Sequence, residues 1–203
     1  MNTPTHIALG FFALCRPDLK GEGQDQVAVP GLRDHLVVLA GSLAPDAILY
    51  VLYAYARLVQ GLTDERIFRV EYFSDSWQSV LAIGNSAPLY AALLAAGVAA
   101  KLRPLWLFAA AALLHIATDL PLHHDDGHAH LWPFTMWKFE SPVSYWDPAH
   151  FGNIAMPVEA ALFTVLCVAL FRRYQNIWAR GGILLVLTAQ LIGFAYWAFI
   201  FGG

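Results

Sequence analysis

The chain has 203 residues, 58% of them hydrophobic and 13% charged, with a formal net charge of −3. Ordinary soluble domains run about 45–50% apolar and about 25% charged. The raised apolar share and halved charge exclude a disordered chain and argue against a soluble globule, and the charge balance offers no basic surface for nucleic acid.

The composition points to an all-α, polytopic helical membrane protein, read as one integral domain over residues 1–203 with five or six membrane helices. A span needs about 17–25 mostly apolar residues. Residues 4–15 are too few to cross unaided and predict a short or re-entrant first helix. Thr5 would cap it, or Thr3 with Pro4 behind it. No basic residue precedes Ile7, and Arg16 follows Cys15 directly. The stretch therefore reads as a retained helix and not as a signal peptide. The next span covers 35–57, and Pro45 should kink or break it just before Asp46. Span 79–100 is interrupted by Asn85-Ser86 and Pro88. Span 105–122 carries His115 and Asp119 near its end. Span 156–171 is short and carries Glu159, and 182–201 closes the chain. Cys15 and Cys167 lie in apolar runs and read as buried apolar residues.

Cytoplasmic loops carry an excess of Lys and Arg. Eight of the twelve basic residues sit on one predicted side: Arg16, Lys20 and Arg33; Lys101 and Arg103; Arg172, Arg173 and Arg180. The loops at about 60–78 and 121–153 then face outward, the periplasm if this is a bacterial inner membrane. Both hold aromatic side chains suited to the headgroup region, among them Tyr72, Trp77, Trp132, Trp137 and Trp146.

Ionisable groups inside spans are costly and mark function. His115 and Asp119 are four residues apart and share a helix face. At a rise of about 1.5 Å per residue, Asp46, His115, Asp119 and Glu159 fall in the same outer half of the membrane. His6 joins them if the N-terminus faces out. Directly after Asp119 comes a loop with His123, His124, Asp125, Asp126, His128 and His130. Histidine with carboxylate and no cysteine suits a divalent transition metal, zinc first, with manganese or iron(II) also fitting. Two nearby metals would serve hydrolysis by activating water and holding the leaving oxygen. Glu140, Asp147 and His150 are further acid/base or supporting groups. Simpler readings stand beside these: Asp46 as a helix cap, the His115/Asp119 pair as structural, the loop as solvated, and Glu159 as reaching for the interface.

Thr5-His6, the run Ala40-Gly41-Ser42-Leu43-Ala44-Pro45-Asp46, His115-x-x-x-Asp119 and Trp132-Pro133-Phe134 together resemble the YdjM-like predicted inner-membrane metal-dependent hydrolases. The resemblance covers roughly residues 3–135. It implies a hydrolase-like metal site made by His6, Asp46, His115 and Asp119, with a remote likeness to zinc-dependent phospholipase C-type proteins. The chain departs from that pattern at two places. Ala47 and Ile48 follow Pro-Asp where the family often has a second acid, and Asn85-Ser86 stands where it has His-Ser. Either His123, His124, His128 or His130 would replace the missing ligands, with His123 and His124 the expected additional metal ligands, or the activity differs or is lost. Asp125, Asp126 or His128 would act as acid or base. The expected substrate is a membrane lipid or lipid-linked phosphoester, since a site at headgroup depth walled by Trp suits an amphiphile. Two other readings use the same residues: a protein that binds or transports divalent metal, and a non-catalytic scaffold with a vestigial site. The inner half of every span is nearly free of ionisable groups, which argues against a continuous ion path.

Overall fold

A computed structural model describes residues 1–16 and 30–201. Lys20 lies outside the described residues. The described chain is helical, with no strand among the described residues. Its elements are α1 (Thr3–Leu14), α2 (Leu32–Leu58), α3 (Asp64–Arg66) running into a π-helical turn (Ile67–Glu71), α4 (Asp75–Gly84), α5 (Ala87–Ala99), α6 (Arg103–Asp119), α7 (Gly152–Arg173) and α8 (Ile177–Phe201). Five stretches are long and apolar enough to cross a membrane: Leu32–Leu58, Asp75–Ala99, Arg103–Leu122, Gly152–Arg173 and Ile177–Tyr196. At 12 residues, α1 is about 18 Å long, short of the roughly 30 Å of a bilayer core.

The short helix is nonetheless central. It packs against α2, α6 and α7, and Thr5 and His6 are almost fully buried. Neither Thr5 nor Thr3 caps it: the helix starts after Asn2 with no side-chain cap. The carboxylate of Glu159 supplies the cap from α7 instead. Its Oε1 accepts from the Asn2 backbone N–H at 2.7 Å and from Thr5 Oγ1 at 2.8 Å. At the other end, Arg173 Nη1 donates to the carbonyls of Phe11, Phe12 and Cys15 at 3.1, 3.1 and 3.3 Å. An acid at the N-terminus and a base at the C-terminus both complement the helix dipole. Glu159 therefore does not reach for the interface; it is 3% exposed and faces α1.

Pro45 does not break its helix. α2 runs unbroken from Leu32 to Leu58 with Pro45 inside it, and the Pro45 carbonyl accepts from Asn85 Nδ2 at 3.2 Å. Asp46 therefore sits in mid-helix and caps nothing. The second expected interruption is real. α4 ends at Gly84 and α5 starts at Ala87, with Ser86 Oγ accepting from Leu89 N at 3.1 Å as N-cap. Side chains satisfy the carbonyls freed by the break: Asn85 Nδ2 donates to Leu81 at 3.0 Å and Tyr90 OH to Gly84 at 2.9 Å. This is how a broken span keeps its backbone paired in an apolar setting.

Glycines set the closest helix approaches. A Cβ on Gly41 of α2 would collide with the Phe108 carbonyl of α6, and one on Gly97 of α5 with the Trp106 backbone of α6. α8 packs chiefly against α7. Gly41→Val should lower the thermal midpoint in detergent, reflecting a loss of about 1–3 kcal/mol from overpacking against backbone. Gly182→Ala, on the open face of α8, should cost nothing. Equal midpoints for Gly41→Val and the wild type would contradict this packing.

Candidate metal centre

α1, α2 and α6 each bring chemistry to one place. His6 and His115 stack with ring centroids 3.6 Å apart and planes 10° from parallel. His6 Nε2 lies 3.2 Å from Asp119 Oδ1, and Thr118 Oγ1 is 3.3 Å from His6 Nδ1. His115 Nδ1 is 2.8 Å from the Ser42 carbonyl. A carbonyl can only accept, so Nδ1 carries the proton and donates. In the neutral ring the lone pair is then on Nε2. That atom is buried with no hydrogen-bond partner. Its neighbours are Asp46 Oδ1 at 3.5 Å and Asp119 Oδ2 at 3.8 Å. An imidazole lone pair thus faces two carboxylate oxygens, acceptors facing acceptors. A hydrogen-bond donor or a cation between them, a metal ion included, resolves that arrangement.

The donor set suits a metal. His6, His115 and Asp119 each place one ligand atom within 4.8 Å of the others, and all three are buried. Nitrogen and oxygen donors without sulfur match borderline divalent ions. Carbonyl-oriented His115 is the arrangement that raises ligand basicity. Asp46 is held beside them, accepting from Thr3 Oγ1 at 2.6 Å, and Thr3 in turn meets Tyr50 OH at 2.6 Å. The Met1 α-ammonium pairs with Asp119 Oδ1.

The loop after α6 divides its residues between two places. His123 bridges two carboxylates, with Nε2 3.0 Å from Asp119 Oδ2 and Nδ1 3.0 Å from Asp126 Oδ2. Burial alone would lower its pKa, but the Asp119 and Asp126 carboxylates outweigh that and lift it to about 9. His128 is buried, and burial together with the His123 charge pushes it down to about 3. Burial would raise Asp126, yet the bond from His123 holds its carboxyl below the usual range. A cavity of about 690 Å³, within the size range of ligand sites, is lined by Asp46, Asp119, His123, Asp125, Asp126 and His128. Aromatic Phe68, Phe73 and Trp146 also stand in its wall. His6 and His115 are not among the lining residues, so Asp46 and Asp119 stand between them and the cavity.

His124 takes another course. Its Nδ1 is 2.7 Å from the Ser141 carbonyl and its ring stacks on His150 at 3.6 Å. His150 Nδ1 meets Asp147 Oδ2 at 2.7 Å. These three side chains brace the loop against itself and are not brought to the His6/His115 cluster. Glu140 is exposed. Tyr72, expected at the outer surface, is instead buried, its hydroxyl donating to the Asp126 carbonyl at 2.6 Å. Asn85-Ser86 acquires a role that the missing His-Ser pattern did not signal. The Asn85 carbonyl is 3.1 Å from His130 Nδ1, Ala87 N donates to the His130 carbonyl at 2.9 Å, and Ser86 Oγ donates to the Trp132 carbonyl at 2.6 Å. The helix break thereby staples the histidine loop beside the site.

Glu159 and Arg173, which seat α1, have no local sequence signal, because their partners lie more than 150 residues away in the chain. No family model, curated protein or solved structure matches this chain.

Glu159→Ala should remove the acceptor of two buried donors, costing about 1–3 kcal/mol and lowering the unfolding midpoint in detergent. Glu159→Gln, which keeps an acceptor oxygen, should stay near wild type. An unchanged midpoint for Glu159→Ala would contradict the anchoring role.

Proposed function

We propose that the chain is a membrane-embedded, metal-dependent hydrolase acting on a phosphoester or related bond of a lipid or lipid-linked substrate. The observation that carries this is the gathering of His6, His115 and Asp119 ligand atoms within 4.8 Å of one another, with the buried His115 Nε2 lone pair unpartnered beside Asp46 and Asp119. His6, His115, Asp119 and Asp46 would hold a divalent transition metal, zinc first. The chemistry such an ion supplies is Lewis-acid polarisation of the scissile group and a water acidic enough to react at neutral pH.

The chain's own groups divide the remaining work. Ser42 fixes the His115 tautomer through its carbonyl. Thr3 orients Asp46. Asp125 is exposed on the cavity wall, within reach of a substrate as its acid or base. Asp126 and His128 flank the same space. Aromatic walls and a position at the end of a span suit an amphiphile whose polar group enters the cavity. The apolar cluster of Cys15, Val38, Leu107 and Ala111, one stretch further along α1, α2 and α6, favours a closed site over an ion conduit. The basic-residue asymmetry supports a bacterial inner membrane with the site facing the periplasm.

Detergent-purified wild type should release phosphate or a phosphorylated headgroup from lipid-phosphate micelles. His115→Ala with Asp119→Ala should lose at least about a hundredfold of that rate, as loss of a metal ligand or its support does. Stoichiometric metal by elemental mass spectrometry should disappear in the same double variant. Metal-free wild type, or full activity in the double variant, would refute the assignment.

A further inference from the structure

One wall of the cavity beside the metal centre is a short element that the chemistry above does not use. The turn Ile67–Glu71 is π-helical, with Tyr72 N donating to the Ile67 carbonyl at 2.8 Å. Turns of this kind recur at functional sites. Phe68, Arg69, Tyr72 and Phe73 from this segment line the cavity. The segment is fastened on both flanks. Ile67 is fully buried, and Tyr72 OH donates to the Asp126 carbonyl at 2.6 Å. From α2, Tyr53 stacks on Phe68 with ring centroids 5.7 Å apart, and its hydroxyl donates to Asp64 Oδ1 at 3.0 Å. Arg69 therefore stands on a fixed base, while its side chain is 79% exposed.

Charge singles out Arg69. Asp46, Asp119, Asp125 and Asp126 all line the cavity, and Arg69 is the one Lys or Arg on its wall among the described residues. The other cations there are taken up. His123 stands 3.0 Å from both Asp119 and Asp126, and the Met1 α-ammonium pairs with Asp119. Four basic side chains fall outside the predicted cytoplasmic side: Arg57, Arg66, Arg69 and Lys138. Three of them are closely bonded. Arg57 donates to the Leu62 carbonyl at 2.6 Å and pairs with Asp64 at 3.1 Å. Arg66 donates to Glu71 at 3.1 Å, and Lys138 to Gln78 at 2.6 Å. Arg69 meets only Glu65, at 3.8 Å, between side chains 79% and 77% exposed. An exposed pair at that distance contributes little, so Arg69 exchanges it for a ligand at little cost.

We infer that Arg69 is the specificity-determining residue that recognises the phosphate of the substrate, in a cavity otherwise lined by carboxylates. The inference rests on the proposed reading of this cavity as the substrate's. A guanidinium presents a planar fork that matches two phosphate oxygens. A phosphate has oxygens enough to meet that fork and a metal at once, whereas a carboxylate has only two. Without Arg69 the four carboxylates would repel an anionic headgroup. Phe68 and Phe73, on the same segment, offer apolar surface to the chain that carries the phosphate.

The test is isothermal titration of the full chain, zinc-loaded in non-ionic detergent, with three probes: dihexanoyl phosphatidic acid, inorganic phosphate and dihexanoyl glycerol. Wild type should bind the phosphatidic acid. Arg69→Ala should bind it at least about tenfold more weakly, the scale of one charged hydrogen-bond partner. Arg69→Lys should lie between, since it keeps the charge and loses the fork. Binding of the phosphate-free glycerol and the zinc content should be equal in all three proteins. Inorganic phosphate weakened in the same proportion would mean that Arg69 reads phosphate from either source; binding of the lipid probe alone would restrict it to a headgroup. Equal phosphatidic acid affinity in wild type and Arg69→Ala overturns the inference, as do equal losses for the glycerol, loss of zinc in Arg69→Ala, or no binding by wild type. Where lipid phosphate is hydrolysed, Arg69→Ala should raise KM and leave kcat within about twofold. Hydrolysis with an unchanged KM overturns the role of Arg69 and leaves the hydrolase standing. Arg69-dependent binding without hydrolysis in wild type does the reverse.

Discussion

A helix of twelve residues buried inside an apolar bundle has a problem at each end. Its first four N–H groups and last four C=O groups lack helical partners, and at about 18 Å α1 is too short to carry both ends across a membrane. α7 resolves both ends at once. Glu159 takes the N–H of Asn2 and the hydroxyl of Thr5, and Arg173 takes three carbonyls around Cys15. The clamp fixes the axial position of α1, and through it the position of His6. Every contact of His6 with His115 and Asp119 depends on that seating.

The consequence is a polar cluster confined to one end of the bundle. On the Glu159 side stand two stacked imidazoles and the carboxylates of Asp46 and Asp119. On the Arg173 side, Ala8, Phe163, Leu166, Cys167 and Leu170 close into apolar packing. The broken helix α4–α5 adds the third constraint. Its freed groups bind the loop that carries His128 and His130, so a break in a span becomes an attachment point for a site wall. Asn85 serves both purposes, donating to the Pro45 carbonyl in the middle of α2 and to the Leu81 carbonyl in the last turn of α4, and accepting from His130.

Much of this was legible in the sequence because it follows from local pattern. Hydrophobic runs located the long helices. The four-residue spacing of His115 and Asp119, with the small rise per residue of a helix, placed them at the depth of Asp46 and His6. Pro88 behind Asn85-Ser86 marked a true break, because Ser86 can cap and proline fits the first turn that follows. Pro45 looked alike in isolation, yet its helix continues, packed against α6 and α4. Local sequence does not register that tertiary packing. The clamp on α1 was hidden for the same reason, since it joins residues at opposite ends of the chain. Nor does a cluster of histidines in a loop reveal which of them turn inward: His124 is diverted by Ser141 and His150, while His123 and His128 line the cavity.

The central claim is that His6, His115 and Asp119 hold a metal ion through nitrogen and oxygen. X-ray absorption at the zinc edge of the loaded, detergent-solubilised protein tests it most directly. The account predicts imidazole multiple scattering with nitrogen and oxygen neighbours at about 2.0–2.2 Å, diminished when His6 and His115 are both replaced by alanine. A sulfur neighbour at about 2.3 Å, or a spectrum unchanged by the double replacement, would contradict it.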